Sequence, residues 1–254
     1  MDAHALKAAL EWQIELGADE AICDAPINRF ELAKQAPKSK APPPHLAPVA
    51  PVSADPIGDA RAAAGAAGTL DALREALGAY PHCELRKGAR SLVFSDGQPE
   101  ARLMLVGEAP GRDEDIQGKP FVGRAGQLLD LMFAEIGISR HPPAPEQAFY
   151  ITNVLPWRPP QNRDPTPEEI AMILPFVERH IELAQPDILV LIGNHACQAL
   201  LGRRGITKLR GQWNEVKGRP ALPMLHPAYL LRNAAAKREA WADMLALQAR
   251  MREG

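Results

Sequence analysis

Leu103-Met104-Leu105-Val106-Gly107-Glu108-Ala109-Pro110-Gly111 is an apolar run that breaks into a turn bracketed by glycines. The run reads as a buried strand, and the glycines let the backbone turn sharply with N–H groups facing a ligand. The same grammar repeats along the chain. Strand-like runs at 101–106, 149–154, 187–192 and 221–225 alternate with helical patterns at about 124–137, 167–184, 194–201 and 236–251. This alternation predicts an α/β fold: a three-layer α/β/α sandwich with a central four-stranded parallel sheet. Ligands of such sheets bind beyond the carboxyl ends of the strands. Both the glycine turn after 106 and His226-Pro227-Ala228-Tyr229-Leu230-Leu231-Arg232 after the last run fall there.

The longest helical pattern has a defined start. Thr166 caps it, Pro167 suits its first position, and Glu169 closes a capping box with Thr166. Its buried stripe should be Ile170, Ile173, Val177 and Ile181.

Upstream, residues 4–17 space Leu6, Leu10 and Ile14 for an amphipathic helix. Seven prolines then fall between positions 37 and 56, a composition that favours an extended tether. The expected organisation is a helical segment at 1–34, a Pro-rich linker at 35–58 and a catalytic domain at 59–254. A further helix is expected across 60–78, with Leu70, Leu73 and Leu77 on one face.

Composition excludes more than it identifies. With 254 residues, 46% hydrophobic and 24% charged, the chain can bury a sizeable core without staples. A formal charge of -2 argues against a broadly basic coat for nucleic acid, although a local basic patch would escape such a count. No apolar run approaches a membrane span and no export pattern opens the chain, so a cytoplasmic location without membrane association is expected. Cys23, Cys83 and Cys197 are too scattered to write a disulfide framework or a four-thiolate metal site.

Several motifs then stand in order: Gly107 to Gly111 with Arg112-Asp113-Glu114-Asp115, Gly118-Lys119-Pro120-Phe121-Val122-Gly123, Ile151-Thr152-Asn153-Val154, Arg158-Pro159-Pro160, and His226 to Arg232. Together they resemble a uracil-DNA glycosylase, closest to the family 4 type, over residues 80–251. The resemblance implies a DNA repair enzyme that flips uracil out of DNA and hydrolyses its N-glycosidic bond, leaving an abasic site. It also implies the roles. Asn153 would read the uracil edge, Phe121 would stack on its face, and Gly107 and Ala109 would contribute backbone to the cradle. His226 would approach the carbonyl where negative charge gathers. An acidic residue of the first motif would assist the water, with Glu114 preferred to Glu108, and Asp113 and Asp115 read as loop carboxylates. One of Leu230 and Leu231 would be core and Leu231 the wedge that fills the vacated stack, while Arg232, Lys208 and Arg210 would hold phosphates. The expected partner is uracil-containing DNA, single- or double-stranded, met by a monomer.

The sequence departs from that family in one respect. Cluster-bearing members place four cysteines where this chain has Cys83, Arg86, Trp157 and Ile173. One thiolate cannot hold an iron–sulfur cluster, so a cofactor-free, metal-free protein is expected, with Trp157 and Ile173 as an apolar plug. The region from 155 to 163 lacks the histidine-bearing insert of a covalently trapping branch, and covalent trapping is not expected. His180 and His195 read as ordinary helix histidines away from the motifs. Two other readings compete: a weakly catalytic or non-catalytic binder of uracil-bearing or abasic DNA, and a scaffold acting through the N-terminal tail.

Overall fold

Continuous apolar runs build the centre of this protein, seen in a computed structural model that describes residues 55–253 and Lys7. The helix expected at 4–17, of which only Lys7 is described and is helical, and the tether up to residue 54 lie outside the described residues.

Among the described residues, six strands form one sheet: β1 (Asp96–Gly97), β2 (Leu103–Gly107), β3 (Phe149–Asn153), β4 (Ile188–Ile192), β5 (Asn214–Val216) and β6 (Arg219–Met224), in the order β1-β3-β2-β4-β6-β5. The inner four are parallel, as expected, with Leu105 opposite both Ile151 and Val190, and Val190 opposite Leu222. The expected four strands are therefore the core of a wider sheet. Short antiparallel edges were not legible in the sequence: β1 pairs with β3 over two residues, and β5 joins β6 through a turn at Lys217 and Gly218, both with positive φ.

Every residue of β2, β3 and β4 is buried, because helices cover both faces. Met104, Val106, Tyr150, Leu189 and Leu191 face one apolar cluster, whereas Leu103, Leu105, Ile151, Val190 and Ile192 face the other. The first layer contains α1 (Pro56–Ala66) and α2 (Leu70–Ala79). The short α3 (Leu85–Gly88) follows. One helix expected across 60–78 is thus two, separated where Thr69 caps α2 by accepting from the N–H of Ala72. The chain enters α1 at Pro56, three residues before the expected domain boundary, with Asp55 as cap.

After β2 come α4 (Arg112–Gln117) and α5 (Arg124–Ala134), whose Leu129 and Phe133 pack on the second face. α6 (Pro167–Ala184) returns over the first face, with the expected capping box in place and Ile170, Ile173, Val177 and Ile181 all buried. α7 (Gly193–Leu201) and α8 (Ile206–Leu209) follow β4, and α9 (Pro227–Arg232) and α10 (Lys237–Glu253) follow β6. The chain moves from β2 outward to β3, then crosses back to β4 on the other side of β2. That reversal opens a crevice between the carboxyl ends of β2 and β4.

Candidate active site

Four parallel strands end at the same edge, so the residues that follow them meet there: Glu108 after β2, Asn153 closing β3, His195 after β4 and His226 after β6. A cavity of about 690 Å³ opens at this edge, lined by Glu108, Ala109, Phe121, His195, His226 and Arg232 among others.

Gly107 and Asn153 are register partners on β2 and β3. A Cβ built on Gly107 would stand 2.4 Å from Oδ1 of Asn153 and 2.4 Å from the Phe121 ring, so only glycine lets the amide and the ring converge. Phe121 has φ of 54°, in the region non-glycine residues avoid, and its carbonyl accepts from Arg140 at 2.5 Å. Arg140, which also holds the Pro120 carbonyl and pairs with Asp96 and Asp130, is a supporting residue the motifs did not reveal.

Asn153 is 4% exposed, yet neither amide atom has a hydrogen-bond partner. Buried polar groups without partners are rare and cost about 1–3 kcal/mol each, so this amide keeps its full hydrogen-bonding capacity unspent in the resting protein. Asn153 does not line the open cavity itself; it lies behind Phe121, which does, and both press on Gly107.

The imidazole of His226 lies 5.6 Å from the Phe121 ring, centroid to centroid, at 28°. Its Nδ1 accepts from the N–H of Ala228, which leaves the proton on Nε2, the atom free to donate to a ligand. Burial, and then the neighbouring Arg232 and His195, hold its pKa below the ordinary value against the pull of Glu108 and Glu114. It is therefore a neutral donor at physiological pH. His226 also packs against Gly193, whose φ of 87° turns β4 into α7.

The acidic residues separate by what they already hold. Glu114 accepts from the N–H groups of Gly111, Val122 and Gly123 at 3.1, 2.9 and 2.9 Å, so its carboxylate ties the two glycine loops together. Asp115 is buried and accepts from the N–H groups of Arg90 and Ser91. Asp113 is exposed on the surface of α4. Glu108 faces the cavity, with Oε2 2.6 Å from Nδ1 of His195.

His195 is thus not away from the motifs, as its helical spacing suggested. It is 5% exposed and lines the cavity, because α7 begins at the carboxyl end of β4, beside β2. The signal was available: its position three residues past a strand of the parallel sheet. His180 is an ordinary helix histidine, buried in the core, stacked on Phe94 at 4.4 Å and bonded to the Tyr150 hydroxyl.

Around the cavity rim, Leu230 is 1% and Leu231 43% exposed, so one leucine is core and the other projects. Arg232 and Tyr229 both line the cavity and are exposed, Tyr229 being a motif residue for which the sequence suggests no role. Lys208 is exposed at the end of α8. Arg210 is a correction. Its guanidinium binds the 2% exposed carboxylate of Asp243 and the Glu239 carbonyl, so it fastens α10 to the end of α8 and is not a free phosphate ligand.

Cys83, Trp157 and Ile173 are buried in one apolar cluster, and burial pushes the Cys83 thiol above its ordinary pKa, opposing the thiolate a metal requires. Arg86, at the second position, is exposed. These residues do not fit an iron–sulfur cluster.

Comparison with known proteins agrees with this geometry. The profile of the uracil DNA glycosylase superfamily matches residues 94–245. The type-4 uracil-DNA glycosylase of Archaeoglobus fulgidus is 39% identical over 170 residues, 63% of this chain and 82% of that protein. That of Thermotoga maritima is 42% identical over 156 residues, 59% of this chain and 77% of that protein. The type-5 uracil-DNA glycosylase of Thermus thermophilus is 35% identical over 121 residues, 44% of this chain and 55% of that protein.

Proposed function

The chain belongs to the uracil DNA glycosylase superfamily, and from that premise we propose how its cleft excises uracil from DNA. The observation that carries the reading is the buried, unpartnered amide of Asn153 beside Phe121. A uracil turned out of the helix presents two carbonyl oxygens and a ring N–H. Asn153 answers one carbonyl with its amide N–H and the ring N–H with its amide oxygen, a pattern cytosine does not match. Because the amide is closed off, the Phe121 ring gives way to admit the pyrimidine and then stacks on its face.

Cleavage breaks the bond between C1′ and N1, and its electron pair leaves with uracil. His226 donates from Nε2, the nitrogen left protonated by the Ala228 contact, to the oxygen on which that charge collects. Water forms the new bond to C1′ and gives a proton to Glu108. Glu108 and Glu114 both line the cavity, and we assign this role to Glu108 because the two oxygens of Glu114 already hold three backbone N–H groups. Glu114 instead keeps the cradle closed. Leu231 fills the vacated stack, and Arg232 and Lys208 hold phosphates.

The enzyme acts without an iron–sulfur cluster, on the support of Cys83 being the one cysteine at the four cluster positions, with Arg86, Trp157 and Ile173 at the other three. Purified protein should contain no iron and lack absorbance in the visible band of such clusters; stoichiometric iron would reverse this assignment. It works as a monomer in the cytoplasm. Among the described residues, no helix is long and apolar enough to cross a membrane.

An end-labelled oligonucleotide with one uracil, treated with protein and then alkali, should break at the uracil. An intact strand with a retained gel shift would turn the reading towards binding alone.

A further inference from the structure

We propose that His195 is a positioning residue for Glu108, holding its carboxylate at the sugar, and that Arg204 sets the tautomer that lets it do so. The inference rests on the role given to Glu108 above and adds two residues that no motif of the chain singles out.

The arrangement is built outward from one loop. Asn194 accepts from the N–H groups of Gly205 and Ile206 through a single oxygen, at 3.0 and 2.8 Å, which ties the loop after α7 back to the start of that helix. This brings Arg204 to His195, and its guanidinium donates to Nε2 at 2.8 Å. A guanidinium has no acceptor, so Nε2 must be the unprotonated nitrogen and the proton must sit on Nδ1. Nδ1 in turn lies 2.6 Å from Oε2 of Glu108. The contact is bent, since Nδ1 is buried yet makes no well-directed hydrogen bond. Hydrogen bonds at catalytic groups commonly straighten when substrate arrives. The pair sits in the crevice between β2 and β4, where the topology directs a ligand.

Glu108, Asp164 and His195 bring ligand atoms within 4.8 Å of one another, which invites a metal reading. Two features oppose it. Arg204 occupies the Nε2 lone pair. Nδ1 and the Glu108 oxygen are closer than the roughly 3 Å that separates two ligands on one zinc ion.

The test is single-turnover cleavage of uracil-containing oligonucleotide by the full chain, with affinity measured separately. The amide nitrogen of asparagine overlies Nδ1, whereas that of glutamine reaches Nε2. His195→Asn should therefore stay within about threefold of wild type, while His195→Gln and His195→Phe should slow cleavage by about ten- to a hundredfold at unchanged Kd. Arg204→Met should show a smaller loss of the same kind. In a Glu108→Gln background, His195→Phe should cost nothing further, because the histidine acts through the carboxylate. Wild-type rates in His195→Phe, equal rates in the Asn and Gln variants, or a full additional loss in the double variant would each overturn the pairing while uracil excision stands. A wild-type protein that leaves uracil in place would remove the underlying reading and the inference with it. If His195→Phe does not fold, the Asn and Gln comparison decides.

Discussion

Gly107 and Asn153 face each other across the β2–β3 ladder so closely that a single methyl on the glycine would meet the amide oxygen at 2.4 Å. The Phe121 ring presses on the same point, also at 2.4 Å. Gly107→Ala should therefore displace the amide, the ring or both. The expected result is a loss of about a hundredfold in kcat/KM, since an ångström of misplacement costs that much. Cleavage kinetics beside circular dichroism will test it, and near wild-type activity would show that the two side chains need not converge.

The unpartnered amide of Asn153 should trade stability for function. Asn153→Leu, close in size, removes two unsatisfied buried polar atoms, so it should raise stability by about 1–2 kcal/mol while abolishing uracil excision. Chemical denaturation and the cleavage assay measure the two halves. A destabilised variant would mean that the amide is satisfied in the resting protein.

His180 makes stability depend on pH. Burial lowers its pKa to about 3, so the folded chain keeps it neutral while the unfolded chain protonates it below its ordinary 6.5. Stability is then complete above about 6.5 and is lost as pH falls from there towards 3, by at most about 1.4 kcal/mol per pH unit from this group. Unfolding temperatures measured downward from about pH 8 should decline, and His180→Phe should flatten that decline. An equally steep decline in the variant would assign the effect to other groups.

The basic residues of the rim should separate into two kinds. Arg232→Ala and Lys208→Ala should weaken binding across DNA sequences and each reduce the salt dependence of affinity by about one unit of slope. Arg210→Ala should leave that slope alone and destabilise the fold by about 3–5 kcal/mol, because it strands the buried Asp243 carboxylate. Salt titrations of the three variants distinguish the cases, and a reduced slope for Arg210→Ala would return it to the DNA-binding surface.

The sequence by itself determined whatever lies within a few residues of chain. The apolar runs of the inner strands, the Thr166–Glu169 capping box and the buried stripe of α6 are local, and local spacing is what a sequence records. The places of Phe121, Asn153 and His226 were legible for a related reason, since each sits in a motif at or near a sheet edge whose direction the alternating pattern already implied. Only tertiary structure could decide how partners from distant segments are used. Glu108 and Glu114 look alike along the chain, and what separates them is that one meets His195 while the other meets three backbone N–H groups. Arg210 looked like any loop cation until α10 delivered Asp243 to it. The two-residue β1 carried no pattern at all, because pairing with β3 and not its own composition makes it a strand. Hydrogen bonds and ion pairs depend on ångström distances set by packing, and chain spacing does not carry those distances between segments that meet only once folded.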